Sequence, residues 1–315
     1  MKPVLFTSQR PLDRAENIKA VYDAYDGPKE FAQLDWWRQS PEITSGKYFL
    51  MVTDEIPVAS PGKVLMINHG ISGTKYYGLD QTHRYATQEQ CDLIDYVVTQ
   101  SPDLVHQVAQ QQGVRDDQVL VLGMPRTDAY FKPVEKTAKT VYFYAPTYRS
   151  AHEVPKIGID WRKIDNMLQD DEVMLVKPHM LVRTILDDEY EHIFEVPNSE
   201  PSTPYIVGCD VLITDFSSIM MDGLVARKPV VLFSKDNSYL ESRGMYFKYP
   251  DEYSEYFADS EEKLISTIRS AKWNSRMEDR RDFFVPTCDG HSTERVVRLI
   301  RRIVYDQDTY CSANF

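Results

Sequence analysis

The stretch VLITDFSSIMMDG, Val211 to Gly223, runs an unbroken apolar segment, Val211-Leu212-Ile213-Thr214, straight into Asp215-Phe216-Ser217-Ser218 and then into residues with helical spacing. A short apolar run bounded by polar turn residues predicts a strand buried on both faces, as in a parallel sheet. A strand that turns directly into a helix points free backbone N–H groups, and here two hydroxyls, at whatever lies above the strand end. That arrangement suits a phosphate. Ser217 and Ser218 are the candidate donors, Thr214 and Asp215 lead into them, and Asp222, four residues beyond Ser218, shares a helix face with Ser218. Asp and Ser are also the favoured helix caps, each worth about 1 kcal/mol, so a bare cap is the competing reading. Two hydroxyls and an aspartate exceed what a cap needs.

Working outward, the same design recurs twice. MLVKPH, Met174 to His179, is an apolar strand ending in a lysine, a proline that fixes the chain direction, and a histidine. LMINHG, Leu65 to Gly70, ends a further strand with His69 and a flexible glycine. Histidine exchanges a proton near neutral pH, and glycine lets a ligand approach the backbone closely. A strand-end histidine is as often structural as chemical. Two of them in opposite halves of the chain, with Lys177 beside the second, lower the chance that both are structural.

Strands and helices alternate almost throughout, which predicts α/β layers with parallel sheets. Strands are expected at Val4–Ser8, Lys47–Thr53, Lys63–Asn68, Tyr96–Gln100 and Gln118–Leu122, with helices at Ala15–Tyr25 and from Ser101 to Gly113. Ala129 to Thr140 reads as a junction. The rhythm restarts with strands at Val141–Tyr144, Val173–Val176, Val211–Thr214 and Val230–Phe233, and helices at Trp161–Leu168, Glu261–Ala271 and Ser292–Tyr305. Strand-end histidines in one half and a helix-N-terminus anion site in the other suggest a two-domain transferase acting on a nucleotide-activated donor, with residues 1–135 on the acceptor side and 136–315 on the donor side. The predicted architecture is GT-B-like: two Rossmann-type domains with a C-terminal helix packing back across the cleft, and ligands at the strand C-terminal ends.

The bulk numbers restrict the function classes. A chain of 315 residues with 42% apolar content supports two packed cores. A net charge of −12 argues against a nucleic-acid binder, because no basic surplus exists to neutralise a phosphate backbone. It also disfavours generic attraction to anionic lipid. The one basic cluster, Arg295, Arg298, Arg301 and Arg302, reads as the solvated face of a helix. Four cysteines without metal spacing or disulfide density fit a reducing compartment. The apolar run after Met1 is too short for a signal peptide, and no stretch reaches the roughly 20 apolar residues that span a bilayer. The expected location is cytoplasmic, with at most peripheral contact at the inner face of the cell membrane. The acidic pairs Asp116-Asp117, Asp170-Asp171 and Asp187-Asp188 read as solvated turns, and no metal site is expected.

Three further stretches carry charged groups at strand ends. In Gly123-Met124-Pro125-Arg126-Thr127-Asp128, Arg126 either clamps a phosphate or pairs with Asp128 to hold the turn, the pair being favoured. Arg149, after Ala145-Pro146-Thr147-Tyr148, has the same ambiguity with better placement. Asp289-Gly290-His291-Ser292-Thr293-Glu294 reads as a loop into a helix capped by Ser292 or Thr293, and it is also a candidate for donor phosphate or ribose.

In this order, these stretches resemble the CDP-glycerol glycerophosphotransferase family of teichoic acid primases and polymerases. The resemblance runs from His69-Gly70 through Gly123–Asp128, Ala145–Arg149, Lys177-Pro178-His179, Asp210–Asp222 and Lys228-Pro229. It continues through Asp236, Tyr239 and Arg243-Gly244, and closes with Cys288-Asp289-Gly290 and Glu294-Arg295. It implies a GT-B fold and transfer of an alditol phosphate from a CDP-alditol (CDP-glycerol or CDP-ribitol) to a hydroxyl, releasing CMP. The implied acceptor is a cell-wall or capsular polymer or a lipid-linked saccharide primer, and no cofactor beyond the donor substrate is implied. By the same resemblance His69 is the general base and His179 stabilises the phosphate in transfer. Lys177, Thr214, Asp215, Ser217, Ser218, Asp222, Arg149, Asp289, Gly290 and Ser292 are then donor-binding residues. Gly70, Lys75, Arg126 and Arg243 are candidate acceptor or phosphate contacts. The family's Thr-Pro-Leu-Lys-like run after the first histidine is replaced here by Ile71-Ser72-Gly73-Thr74-Lys75. The competing reading is a GT-B glycosyltransferase or epimerase using a UDP-sugar.

Overall fold

Continuous apolar runs become the central strands of two separate parallel sheets, each six-stranded among the described residues. This computed structural model describes residues 2–34, 43–68, 70–71, 86–134, 138–147, 158–179, 182, 184–235 and 244–312, with side chains omitted over 306–312. By contacts the chain divides into unit 1, Met1–Ala129 with Pro286–Phe315, and unit 2, Tyr130–Val285.

In unit 1 the strands are β1 (Val4–Ser8), β2 (Lys29–Gln33), β3 (Leu50–Thr53), β4 (Lys63–Met66), β5 (Tyr96–Thr99) and β6 (Val119–Val121). They pair in the order β2-β1-β3-β4-β5-β6, all parallel. Leu5, Met51 and Val64 share one face and pack with Ile43 and Tyr48. On Phe6 sits α1 (Glu16–Ala24), whose Tyr22 ring stands edge-on to it at 5.3 Å. A short α2 (Gln88–Cys91) starts from a Thr87 capping box. Next comes α3 (Val105–Gln112), which ends where Gly113 takes φ +62°, a left-handed stop that glycine adopts without steric cost.

Unit 2 repeats the plan with β7 (Thr140–Tyr144), β8 (Glu172–Val176), β9 (Ile193–Glu195), β10 (Val211–Thr214), β11 (Val230–Phe233) and β12 (Tyr256–Ala258). The order is β12-β11-β10-β7-β8-β9, again parallel, so β7 lies between β10 and β8. The helices are α4 (Trp161–Met167), α5 (Thr203–Gly208), α6 (Ile219–Val225), α7 (Glu261–Ser270) and α8 (Ser275–Phe284). Trp161 and Ile164 of α4, with Leu264, Ile265 and Ile268 of α7, cover Tyr144, Ile213 and Val231. Arg269 ties α7 to the start of β8 by a bidentate pair with the buried Glu172 (2.9 and 2.6 Å), to which Tyr142 adds a 2.7 Å bond. A Cβ on Gly223 would lie 2.6 Å from Val230 and 2.7 Å from Leu212, so α6 approaches β10 and β11 at backbone distance.

The final helix, α9 (Ser292–Ser312), packs on α1. Residues 286–315 therefore group with unit 1, whereas the sequence reading runs its second domain through 315. Strands β2, β9 and β12 are absent from that reading. Each sits at a sheet edge; β2 and β9 mix polar with apolar residues, and β9 and β12 are only three residues long.

Candidate active site

In unit 2 three strand C-termini stand side by side. The loop Ala145-Pro146-Thr147 leaves β7, with Lys177-Pro178-His179 after β8 on one side and Asp215–Ser218 after β10 on the other. Two strand spacings separate the outer pair, about 10 Å. Asp215 is buried, and its Oδ1 accepts from the Thr147 N–H (2.8 Å), the Thr147 hydroxyl (2.7 Å) and the Ser217 N–H (3.1 Å). The Thr214 hydroxyl donates to the Ala145 carbonyl at 2.6 Å. Thr214 and Asp215 thus form a clasp between the ends of β7 and β10, which sets the direction of the loop carrying Thr147. Ser217 and Ser218 are half-buried, and the Ser217 Oγ lies 3.5 Å from the Ile219 N–H at the start of α6. Asp222 is 1% exposed and accepts a 2.7 Å bond from the Tyr130 hydroxyl. Sharing a helix face with Ser218 therefore does not bring it to the surface that Ser218 occupies.

Lys177 donates its N–H to the Tyr144 carbonyl (2.8 Å) and its Nζ to the Pro197 carbonyl (3.1 Å). The His179 carbonyl accepts from the Val182 N–H at 2.7 Å, and the His179 residue is half-buried. The turn after β8 is thereby pinned by its backbone. Arg149 and Arg243 lie outside the described residues.

Unit 1 presents its own strand ends. His69 and Lys75 lie outside the described residues, but both flanks of His69 are described. The Asn68 carbonyl accepts from Asn17 Nδ2 of α1 at 2.7 Å, and its side-chain Oδ1 accepts from Gln112 Nε2 of α3 at 3.1 Å. After Gly70, Ile71 is 3% exposed. The Asn17 Oδ1 also accepts from the Arg126 N–H at 2.9 Å, and the Arg126 guanidinium lies 3.5 Å from Glu16.

Asp128 does not hold the turn through Arg126 as expected from their spacing. Its two oxygens accept from the N–H groups of Ser292 (3.0 Å) and Thr293 (2.7 Å), capping α9 from a segment remote in sequence. The physical reason is the helix end itself, whose orphan N–H groups and positive dipole attract a carboxylate. The Ser292 hydroxyl is buried and faces the Thr287 carbonyl, so it is not the cap. Arg295 completes this lock: it donates to the Leu122 carbonyl (3.1 Å), the Thr287 carbonyl (2.8 Å) and Asp289 Oδ1 (2.5 Å). Gly290 takes φ +92°. Asp289, Gly290 and Ser292 are thus placed among unit 1 residues at the lead-in to α9.

The sequence reading also passes over two acids. Asp54 and Glu55 follow β3 directly and are both buried. The Ser8 hydroxyl donates to Asp54 Oδ2 (3.1 Å), and Arg10 lies 3.8 Å away. Burial raises Asp54 to about 6; burial and the Asp54 charge raise Glu55 to about 7. The available signal was position: two carboxylates at a buried strand's end, the placement that singles out His69 and His179.

The basic cluster of α9 is neutralised locally: Arg298 pairs with Glu294 (2.6 Å) and Arg301 with Asp26 (2.9 Å). Among the described residues no helix is long and apolar enough to cross a membrane, and no three His, Cys, Asp or Glu residues are grouped to hold a metal ion.

The family model described as CDP-Glycerol:Poly(glycerophosphate) glycerophosphotransferase matches residues 44–302. The chain is 24% identical to a teichoic acid poly(ribitol-phosphate) polymerase of Bacillus spizizenii over 97% of its own length and 56% of that protein's. It is also 24% identical to a teichoic acid glycerol-phosphate primase of Bacillus subtilis, over 91% of this chain and 77% of that one. A solved structure of a variant of the wall teichoic acid polymerase TagF superposes with a TM-score of 0.78 at 19% identity, covering 97% of this chain and 90% of that one. The fold is accordingly α/β with two parallel sheets, as expected. With the family model matching residues 44–302, most of its length, the chain belongs to the CDP-glycerol:poly(glycerophosphate) glycerophosphotransferase family.

Proposed function

We propose that this chain is an enzyme that moves glycerol phosphate or ribitol phosphate from a CDP-alditol to a hydroxyl of a cell-wall polymer or its primer. The observation that carries this reading is the family match, which spans residues 44–302 and so includes parts of both units. The relatives named as ribitol-phosphate polymerase and glycerol-phosphate primase support both alditols as donor classes.

In the proposed reaction His69 takes the proton of the acceptor hydroxyl. The oxygen forms a bond to the β-phosphorus of the donor as the bond from that phosphorus to the bridging oxygen breaks, and CMP leaves with the electron pair. Charge on the phosphoryl oxygens is met by His179, Lys177 and the hydroxyls of Ser217 and Ser218. Phosphoryl transfer depends mainly on positioning and on fixed donors, which strand-end loops held by a buried clasp supply. Thr214 and Asp215 serve this reading as supports: they orient the Ser217 N–H and the Thr147 loop instead of meeting the donor themselves. Unit 1 is read as the acceptor side and unit 2 as the donor side of a GT-B-like pair of Rossmann-type domains. The return of α9 onto α1 supports the closing-helix part of that reading. The work is placed in the cytoplasm, with at most peripheral membrane contact.

The test is CMP release by purified protein given CDP-glycerol or CDP-ribitol with saccharide and teichoic-type acceptors. Acceptor-dependent release supports the reading. No release from either donor, with thermal protection by UDP-sugars instead of CMP, replaces it with the glycosyltransferase reading.

A further inference from the structure

One buried amide joins two of the strand-end motifs of unit 1. Asn17 lies in the first turn of α1 and is 1% exposed. Its Nδ2 donates to the Asn68 carbonyl (2.7 Å) and its Oδ1 accepts the Arg126 N–H (2.9 Å), so both ends of a single planar group are used. Gln112 of α3, also 1% exposed, holds the Asn68 side chain from another direction at 3.1 Å. A polar residue at a core-facing position of an amphipathic helix costs stability unless both its donor and its acceptor are satisfied. The bonds it makes go to the carbonyl of Asn68, just past β4, and to the N–H of Arg126, in the first turn of a short 3-10 helix (Pro125–Phe131) whose opening N–H groups have no partner within the helix.

We propose that Asn17 is a positioning residue for the transfer reaction, fixing the backbone at Asn68, the residue next to His69 in the chain. The inference rests on the reading of His69 as the base. Asn68, the described residue that precedes position 69 in the chain, is held at both its carbonyl and its side chain. The buried Ile71 anchors the other flank. A base must sit within hydrogen-bond reach of the proton it removes, and a displacement of about 1 Å costs on the order of 100-fold in rate. An amide that served stability alone would give a different pattern on removal, loosening the unit without selecting the chemical step.

The experiment compares the full chain with Asn17→Ala and with Gln112→Met, which removes only the side-chain hold on Asn68. Acceptor-dependent CMP release gives kcat and donor KM, CMP-induced thermal shift gives donor binding, and amide hydrogen exchange reads peptides covering 63–71 and 119–128. The expected result is a fall in kcat of roughly 10- to 100-fold for Asn17→Ala. Donor KM and CMP protection should stay within about twofold, and exchange should quicken across 63–71. Gln112→Met should move the same readings less, and it carries the test alone if Asn17→Ala does not fold. Folded variants with wild-type kcat overturn the proposal, and so does a donor KM that rises in step with the loss of kcat. If the unaltered protein releases no CMP from either donor, the transfer reading fails by itself. Exchange across 63–71 then still decides whether Asn17 fixes the segment, and unchanged exchange overturns that role.

Discussion

Replacing Asp215 by alanine separates two roles that a strand-end aspartate can have. The carboxylate takes three hydrogen bonds on one oxygen, from the N–H and hydroxyl of Thr147 and the N–H of Ser217. Thr147 is 7% exposed, so water does not readily replace the lost partner. A hydrogen bond to a charged group contributes about 1.5–3 kcal/mol. Bonds sharing one acceptor are not additive, so Asp215→Ala should destabilise unit 2 by about 3–5 kcal/mol. At about 2–4 °C per kcal/mol for a unit of this size, the melting temperature should fall by roughly 10 °C. Asp215→Asn keeps an acceptor oxygen without the charge and should lose about half as much. Urea unfolding followed by tryptophan fluorescence is a direct assay, because Trp161 is buried against Tyr144 in the core of this unit. A loss under about 1 kcal/mol in Asp215→Ala, together with lost CMP binding, would refute the clasp and make Asp215 a donor contact.

Two further outcomes follow from unit 1. Gly123 has φ +85°, and a Cβ there would meet the Ser292 side chain and lie 2.5 Å from the Thr287 carbonyl. Gly123→Ala should therefore cost about 2–4 kcal/mol and expose the segment before α9 to limited proteolysis, while wild-type protease resistance would contradict the lock described. Burial raises Asp54 from 3.8 to about 6, and burial with the Asp54 charge raises Glu55 from 4.5 to about 7. Raised folded-state values mean that the folded chain holds these protons more tightly than the unfolded chain. Their contribution is therefore complete below about pH 4 and is lost as pH rises through about 6 to 7, about 3 kcal/mol for Asp54. Asp54→Asn should flatten the decline in stability between about pH 4.5 and 7.5, and parallel pH profiles for the two proteins would refute that linkage.

The central strands were legible because a parallel strand covered on both faces must be apolar along its whole length, as Val211–Ile213 and Val64–Met66 are. The edge strands were not. Lys29–Gln33 and Ile193–Glu195 pair on one side only, and their polar residues carry no period that marks a strand. The site was legible as a set of strand ends, since any residue just after a parallel strand faces the sheet's ligand-binding edge. What each side chain does there was not legible, because the deciding partners are remote in sequence. Asp215 and Thr147 are 68 positions apart, and Asp128 and Ser292 are 164 apart. Local spacing suggested an Arg126–Asp128 pair; the helix end brought in by the fold offered Asp128 two backbone N–H groups instead. Asn17 reads in sequence as an ordinary helix residue, and only the fold, which brings Asn68 and Arg126 to the start of α1, gives its amide two partners.

Transfer of an alditol phosphate from a CDP-alditol can be read directly by analysing the acceptor after incubation with each donor, beside a His69→Ala control. The acceptor should gain the mass of one or more alditol phosphates in step with CMP release. His69→Ala should still be protected by CMP while product formation drops by about 10²-fold or more. An acceptor left unmodified by both CDP-alditols, or a His69→Ala protein that turns over like the unaltered chain, would contradict alditol phosphate transfer with His69 as its base.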